Sequence, residues 1–253
     1  MDAVPDRGSR LLIMLVAAAV CPCPPLLVPE VAAGAAPELD TARAACTDAV
    51  GVLTAARPDL LVVVGPARGD VGAERYPEGS TGSFHDFGVG LDVRLGADRD
   101  TAAGRTLPGA LAVGAWLLER TGWANAPVEG LGVGESLAAE RCAEQGREIA
   151  TRAERVALLV MGDGSACRTL KAPGYLDERA APFDAEAARA LGAADTASLR
   201  ALDSGLAREL KASGRAPWQV LAGAAEAGGT ALEGALLYED APYGVGYMVA
   251  TWS

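Results

Sequence analysis

The chain has 253 residues, half of them hydrophobic, so it is long enough to bury a sizeable core, and one domain is favoured over two. A net charge of −11 with no basic run repels phosphate backbones and anionic membrane surfaces, which sets nucleic-acid binding and polybasic anchoring aside. Five cysteines, an odd number at irregular spacing with no C-x-x-C pair, predict reduced thiols in a cytoplasmic protein rather than a disulfide framework, a zinc ribbon or a thioredoxin-like motif.

Residues 7–28 fit two readings. Arg7 and Arg10 precede the apolar run 11–20, which ends at Cys21; this is the outline of a signal peptide and makes an exported or lipid-anchored protein the alternative. The run is too short to span a membrane. A buried first strand over about Leu15–Val20 is the favoured reading, because parallel strands covered on both faces read as continuous apolar runs. On the strand reading, residues 1–13 are a disordered leader, Met14 is an alternative start, and 14–253 form one domain.

The Cys21-Pro-Cys-Pro-Pro25 segment can neither extend a strand nor open a long helix comfortably, so it forms a rigid loop at a strand end. Leu39, Ala42, Cys46, Val50 and Leu53 share one face at helical spacing, which predicts a helix over 37–56. Leu60–Val64 is the clearest buried strand, and the order strand, helix, strand implies a parallel crossover. Residues 66–86 are Gly-rich and polar with little periodicity, and they hold the only histidine, His85. A strand over 88–95, helices over 108–120 and, broken in places, 134–153, and a strand over 155–161 follow. Helices over 183–193 (with Asp184 as N-cap), 197–211 and 217–227 come next, and strands over 234–238 and 246–252 close the chain. The expected architecture is a three-layer α/β/α domain with a central mixed, largely parallel sheet.

Three strand ends then stand out: Cys21-Pro-Cys-Pro-Pro-Leu-Leu27, Val62-Val-Val-Gly-Pro-Ala67 and Leu159-Val-Met-Gly-Asp-Gly-Ser-Ala166. Their order and spacing resemble the catalytic subunit of class III extradiol ring-cleavage dioxygenases, over about residues 14–252. The closing stretch Ala241-Pro-Tyr-Gly-Val-Gly-Tyr-Met-Val-Ala250 is similar to actinobacterial members of that superfamily. The resemblance implies non-haem Fe(II) held by two histidines and a carboxylate, a further histidine as acid/base, catechol-type substrates and a homodimer. At the matching positions this chain carries Cys23, Ala67 and, after Ser165, Ala166. Alanine offers neither a lone pair nor a proton.

The expectation is therefore a divergent protein that does not cleave rings and serves as a small-molecule binder or scaffold, with no cofactor assigned. The alternative is a metalloenzyme, dioxygenase or hydrolase, holding Fe(II) or Zn(II) on an altered set from Cys23, His85, Asp163 and Glu239, with Asp240 beside the last. The turn Gly162-Asp163-Gly164-Ser165 is the best polar cluster: its backbone N–H groups suit an anion nest, Asp163 and Ser165 are candidate catalytic residues with His85, and Arg168 and Lys171 favour an anionic ligand. Tyr175, Tyr243 and Tyr247 are candidate pocket residues, Tyr243 the one taken as ligand-binding.

Overall fold

The computed structural model describes residues 14–67, 69, 72–97, 105–228 and 231–253. Among the described residues there are nine strands: β1 Met14–Cys21, β2 Leu60–Ala67, β3 Ala73–Tyr76, β4 Thr81–Ser83, β5 Asp92–Arg94, β6 Val128–Gly134, β7 Arg155–Met161, β8 Gly234–Asp240 and β9 Tyr247–Trp252. The α-helices among the described residues are α1 Pro29–Ala32, α2 Asp40–Ala55, α3 Gly109–Thr121, α4 Ala139–Ala150, α5 Ala180–Gly192, α6 Thr196–Ala201, α7 Ser204–Glu209 and α8 Arg215–Ala227. None is long and apolar enough to cross a membrane.

The main sheet runs β3-β6-β2-β7-β1-β9-β8. Its centre, β6, β2, β7 and β1, is parallel; β3, β9 and β8 pair antiparallel at the sides. Side chains of the central strands alternate between two core layers, with one irregularity between Leu15 and Ala17 of β1. Val156, Leu158 and Val160 of β7 face one layer, and Ala157, Leu159 and Met161 face the other. Helices α2 and α3, with the β4–β5 hairpin, cover one face; α4 to α8 cover the other. This is the expected three-layer α/β/α arrangement.

Handedness explains which helix lies where. The chain steps from β1 past β7 to β2 and on to β6, always in one direction, so right-handed crossovers put α2 and α3 on the same face. It then reverses from β6 to β7 and continues to β8, which puts α4 and the helices after β7 on the opposite face.

Several sequence expectations are corrected. The strand β6 was not expected: three glycines in Val128–Gly134 hide it from propensity, and it supplies a central pairing for β2. The helix expected over 134–153 is confined to α4. The polar stretch 66–86 contains β3 and β4, and the strand expected over 88–95 shrinks to β5, because Gly88 takes a left-handed φ of 77° that ends the extended backbone. Residues 197–211 split into α6 and α7, capped separately by Asp195 and Asp203. Asp184 is not an N-cap: α5 starts at Ala180 and carries Asp184 fully buried inside it.

The segment 14–20 contributes a central strand between β7 and β9. Cleavage before Cys21, as the signal-peptide reading requires, would take that strand out of the sheet. The leader expected at 1–13 lies outside the described residues.

Helices α4 and α8 pack closely because glycines face each other's backbone. A Cβ on Gly146 would lie 2.0 Å from the Val220 carbonyl oxygen, and one on Gly223 would lie 2.1 Å from that of Ala143. Backbone on both sides cannot yield, so Gly223→Ala is expected to lower unfolding free energy by about 2 kcal/mol or more. Gly51→Ala, on the exposed side of α2 with nothing within 4 Å, is expected to raise it by about 0.5 to 1 kcal/mol. Urea denaturation of both variants against the parent checks the pair.

Candidate functional site

Strands β1 and β7 are neighbours and parallel, yet their connections leave on opposite faces of the sheet. That makes the carboxyl ends of β1 and β7 the topological switch point, the place where open α/β sheets present a crevice to ligands. Two loops meet there, the Pro-rich segment after β1 and the long segment 162–179 after β7. The backbone N–H of Cys23 donates to Asp163 Oδ1 at 2.8 Å. The Asp163 N–H donates to Ser213 Oγ at 3.2 Å, and the Gly214 N–H returns a bond of 2.8 Å to the Asp163 carbonyl. Gly162 and Gly214 allow this contact: a Cβ on Gly162 would sit 2.5 Å from the Gly214 Cα.

Burial pushes the Asp163 carboxyl up to about 6, against the opposing pull of hydrogen bonds from the Cys23 backbone and side chain. Burial, followed by the charge of Asp163, raises the Cys23 thiol well above its usual range; a hydrogen bond from Ser213 pulls the other way. The Tyr247 phenol is raised by burial and then by the nearby Asp163 and Cys23. Burial thus favours the neutral form of all three groups, a carboxyl, a thiol and a phenol packed together at the switch point. A thiol of this kind is neither a nucleophile nor a ready metal ligand, because both roles need the thiolate.

The remaining predicted residues are placed as follows. The expected anion nest is filled from within: the N–H groups of Gly162, Asp163, Gly164 and Ser165 donate to Cys21 O, Ser213 Oγ, Gly246 O and Asp184 Oδ1. Ser165 is fully buried, and its hydroxyl donates to Asp184 Oδ2 at 2.7 Å. Arg168 Nη1 reaches the same Asp184 oxygen at 3.0 Å. Ser165 and Arg168 therefore tie the β7 loop to α5, with the Ser165 hydroxyl fully buried and committed to Asp184. Asp184, which sequence reasoning took for a cap, is the carboxylate that holds them.

His85 stands apart from the switch point. It follows β4, is 56% exposed, and its Nε2 lies 3.2 Å from Asp92 Oδ1. Glu239 and Asp240 lie on the exposed strand β8, where Asp240 caps the N–H of Ala241. Cys23 and Asp163 are thus the two members of the altered metal set that come together. Among the described residues no group of three His, Cys, Asp or Glu side chains is placed to hold a metal. Fe(II) and Zn(II) do not fit this donor set. Ala67 and Ala166 are buried and offer no donor atom. All five cysteines are free and buried.

The same end of the molecule carries an open cavity of about 480 Å3, lined by Thr169, Leu170, Lys171, Pro242, Tyr243 and Gly244. It lies between the β7 loop and the β8–β9 turn, which are joined by the Arg168 N–H to Gly244 O bond of 3.0 Å. The Tyr243 hydroxyl is turned away to Glu38 Oε2 at 2.9 Å, leaving its ring to the cavity wall. Sequence reasoning named Lys171 and Tyr243 but missed Thr169, Leu170 and Pro242, which no motif marks. A larger cavity of about 870 Å3 lies at the end of α3 that leads into β6. Its charged residues Asp92, Arg94 and Glu119 already have partners within the chain.

No protein-family model and no curated protein matches the sequence. Among solved structures, the chain is similar to the uncharacterized protein JW3007 from Escherichia coli K12, with a TM-score of 0.52 at 16% identity over 94% of this chain and 99% of that one. At that identity the likeness concerns the fold alone.

Two predictions test the site. The folded-state value of Asp163 lies above its usual 3.8, so the neutral acid is the form the fold favours. Its contribution is fully present below about pH 4 and is lost as pH rises through about 6. Asp163→Asn keeps an acceptor for the Cys23 N–H and removes the titration. The variant is expected to match the parent near pH 4 and exceed its urea midpoint at pH 7.5; parallel pH slopes would contradict the assignment. Asp184→Ala orphans the Arg168 guanidinium and both donors of Ser165 and is expected to cost about 3 kcal/mol or more, whereas Ser165→Ala costs about 1 to 2 kcal/mol, both read by the same denaturation.

Proposed function

We propose that this chain is a small-molecule-binding protein on a fold like that of the class III extradiol dioxygenases, and that it does not cleave catechol rings. The observation that carries the reading is the donor set at the strand ends. Where the resemblance calls for three histidines stand Cys23, Ala67 and Ala166, all buried, and the one thiol among them is held protonated. Asp163 and Cys23 bond to each other across the crevice instead of converging with a third ligand. The rim cavity between the β7 loop and the β8–β9 turn gives the same end of the sheet room for an organic ligand, within the usual volume of such sites. A cytoplasmic location belongs to the proposal, supported by five unpaired, buried thiols. So does the homodimer that the resemblance implies, for which the exposed Leu236 and Leu237 of edge strand β8 offer a surface.

The test is anaerobic loading with Fe(II), followed by metal analysis and an oxygen-uptake assay with protocatechuate and catechol. The expected outcome is less than stoichiometric iron and no ring-cleavage product. Turnover of either catechol, lost on Asp163→Asn, would sink the proposal.

A further inference from the structure

The β7 loop carries an unusual concentration of apolar surface. Leu170 is 62% exposed, Tyr175 63% and Leu176 46%, so three of the six large exposed hydrophobics among the described residues fall within seven positions of this loop, and Leu170 lines the rim cavity. Exposed apolar groups gathered in this way mark an interaction site more often than scattered ones do. The loop is well anchored. Gly174 N–H bonds Ala166 O at 2.8 Å, Asp177 N–H bonds Cys167 O at 3.0 Å, and Lys211 Nζ bonds Pro173 O at 3.2 Å. Within this frame Tyr175 is held at a left-handed φ of 64°, a conformation costly for an aromatic residue and sustained by its surroundings.

The polar groups at the cavity define what enters. Lys171 and the Thr169 hydroxyl make no hydrogen bond or ion pair with any described residue, although most arginines of this acidic chain are paired. The backbone N–H groups of Thr169, Leu170 and Lys171, three in succession, also have no partner among the described residues. The four N–H groups of the 162–165 turn are all consumed internally, so the unused donors lie a few residues further on, at the cavity. An ammonium, a hydroxyl and free amides beside an apolar wall of Leu170, Pro242 and the Tyr243 ring are complementary to a flat ring bearing an anionic group.

We propose that the rim cavity binds an aromatic carboxylate of one or two rings. The ring lies against Leu170, Pro242 and Tyr243, and the carboxylate is met by Lys171, with Thr169 and the free amides as further donors. The inference rests on the small-molecule-binding reading above and adds the ligand's class.

The experiment uses the full 15N-labelled chain and three probes of equal shape and different charge: 2-naphthoate, 2-naphthamide and 2-naphthylmethylamine. Backbone amide shifts are followed by NMR. Naphthoate is expected to give saturable shifts at Thr169–Ala172 and Tyr243–Gly244, with a dissociation constant about tenfold lower than that of naphthamide, the scale of one charge-assisted hydrogen bond. Lys171→Gln, an exposed change that leaves the urea midpoint unaltered, is expected to bring naphthoate to the naphthamide value. If naphthamide binds these residues as tightly as naphthoate, the anion assignment is overturned while the binding reading stands. If none of the probes saturates shifts at these residues, the cavity is no aromatic site and the inference fails.

Discussion

Right-handed crossovers fix where this molecule can do anything. Once β1 and β7 are parallel neighbours and the chain must reach β2 from one and β8 from the other, the two connections have to leave on opposite faces. The carboxyl ends of these two strands are then the switch point of the sheet whatever residues occupy them. The Cys23–Asp163 bond joins the two loops at that point, and Ser213, brought in by the turn before α8, accepts the Asp163 N–H. The positions of the candidate groups follow from topology; their chemistry follows from what was placed there.

What was placed there is held in place more than it is made reactive. Three buried ionic side chains each fix one loop at this end. Arg43 donates to the carbonyls of Leu27 and Ala36 and clamps the Pro-rich loop after β1. Arg215 donates to the carbonyls of Glu135 and Leu137 and fixes the loop after β6, backed by Gln219. Asp184 takes three donors from Ser165 and Arg168 and fixes the loop after β7. A buried charge is tolerated only when its hydrogen-bonding capacity is used, and each of these spends it on the loops. The rim is consequently rigid, which favours binding through a preorganised surface.

The parts of the fold legible in the sequence were those whose signal survives without context. The runs of β1, β2 and β7 are apolar on both faces, so their burial is written in composition. Strand β6 was not legible, since Val128–Gly134 reads as a loop until β2 and β3 are known to flank it. At the site, Cys23 and Asp163 were legible as strand-end residues. The consumption of the 162–165 amides was not, because their acceptors Ser213, Asp184 and Gly246 lie up to 82 positions away in sequence. Ser165 and Arg168 looked functional for the same reason: their partner was taken for a cap of a helix that starts four residues earlier.

The displaced role of the β7 loop ties these observations together. Near the strand, its donors are saturated by the protein, and its carboxyl is buried beside a neutral thiol. Further out, past the anchor that Asp184 provides, the same loop leaves three amides, a hydroxyl and an ammonium free next to exposed leucine and tyrosine side chains. On the binding reading proposed above, the ligand meets the rim rather than the strand ends, because the rim requires only shape, an apolar wall and a positive charge, all present there. Because the anchor and the rim belong to one segment, loosening Asp184 should disturb the cavity as well as the fold, whereas changes at Lys171 should leave the fold intact.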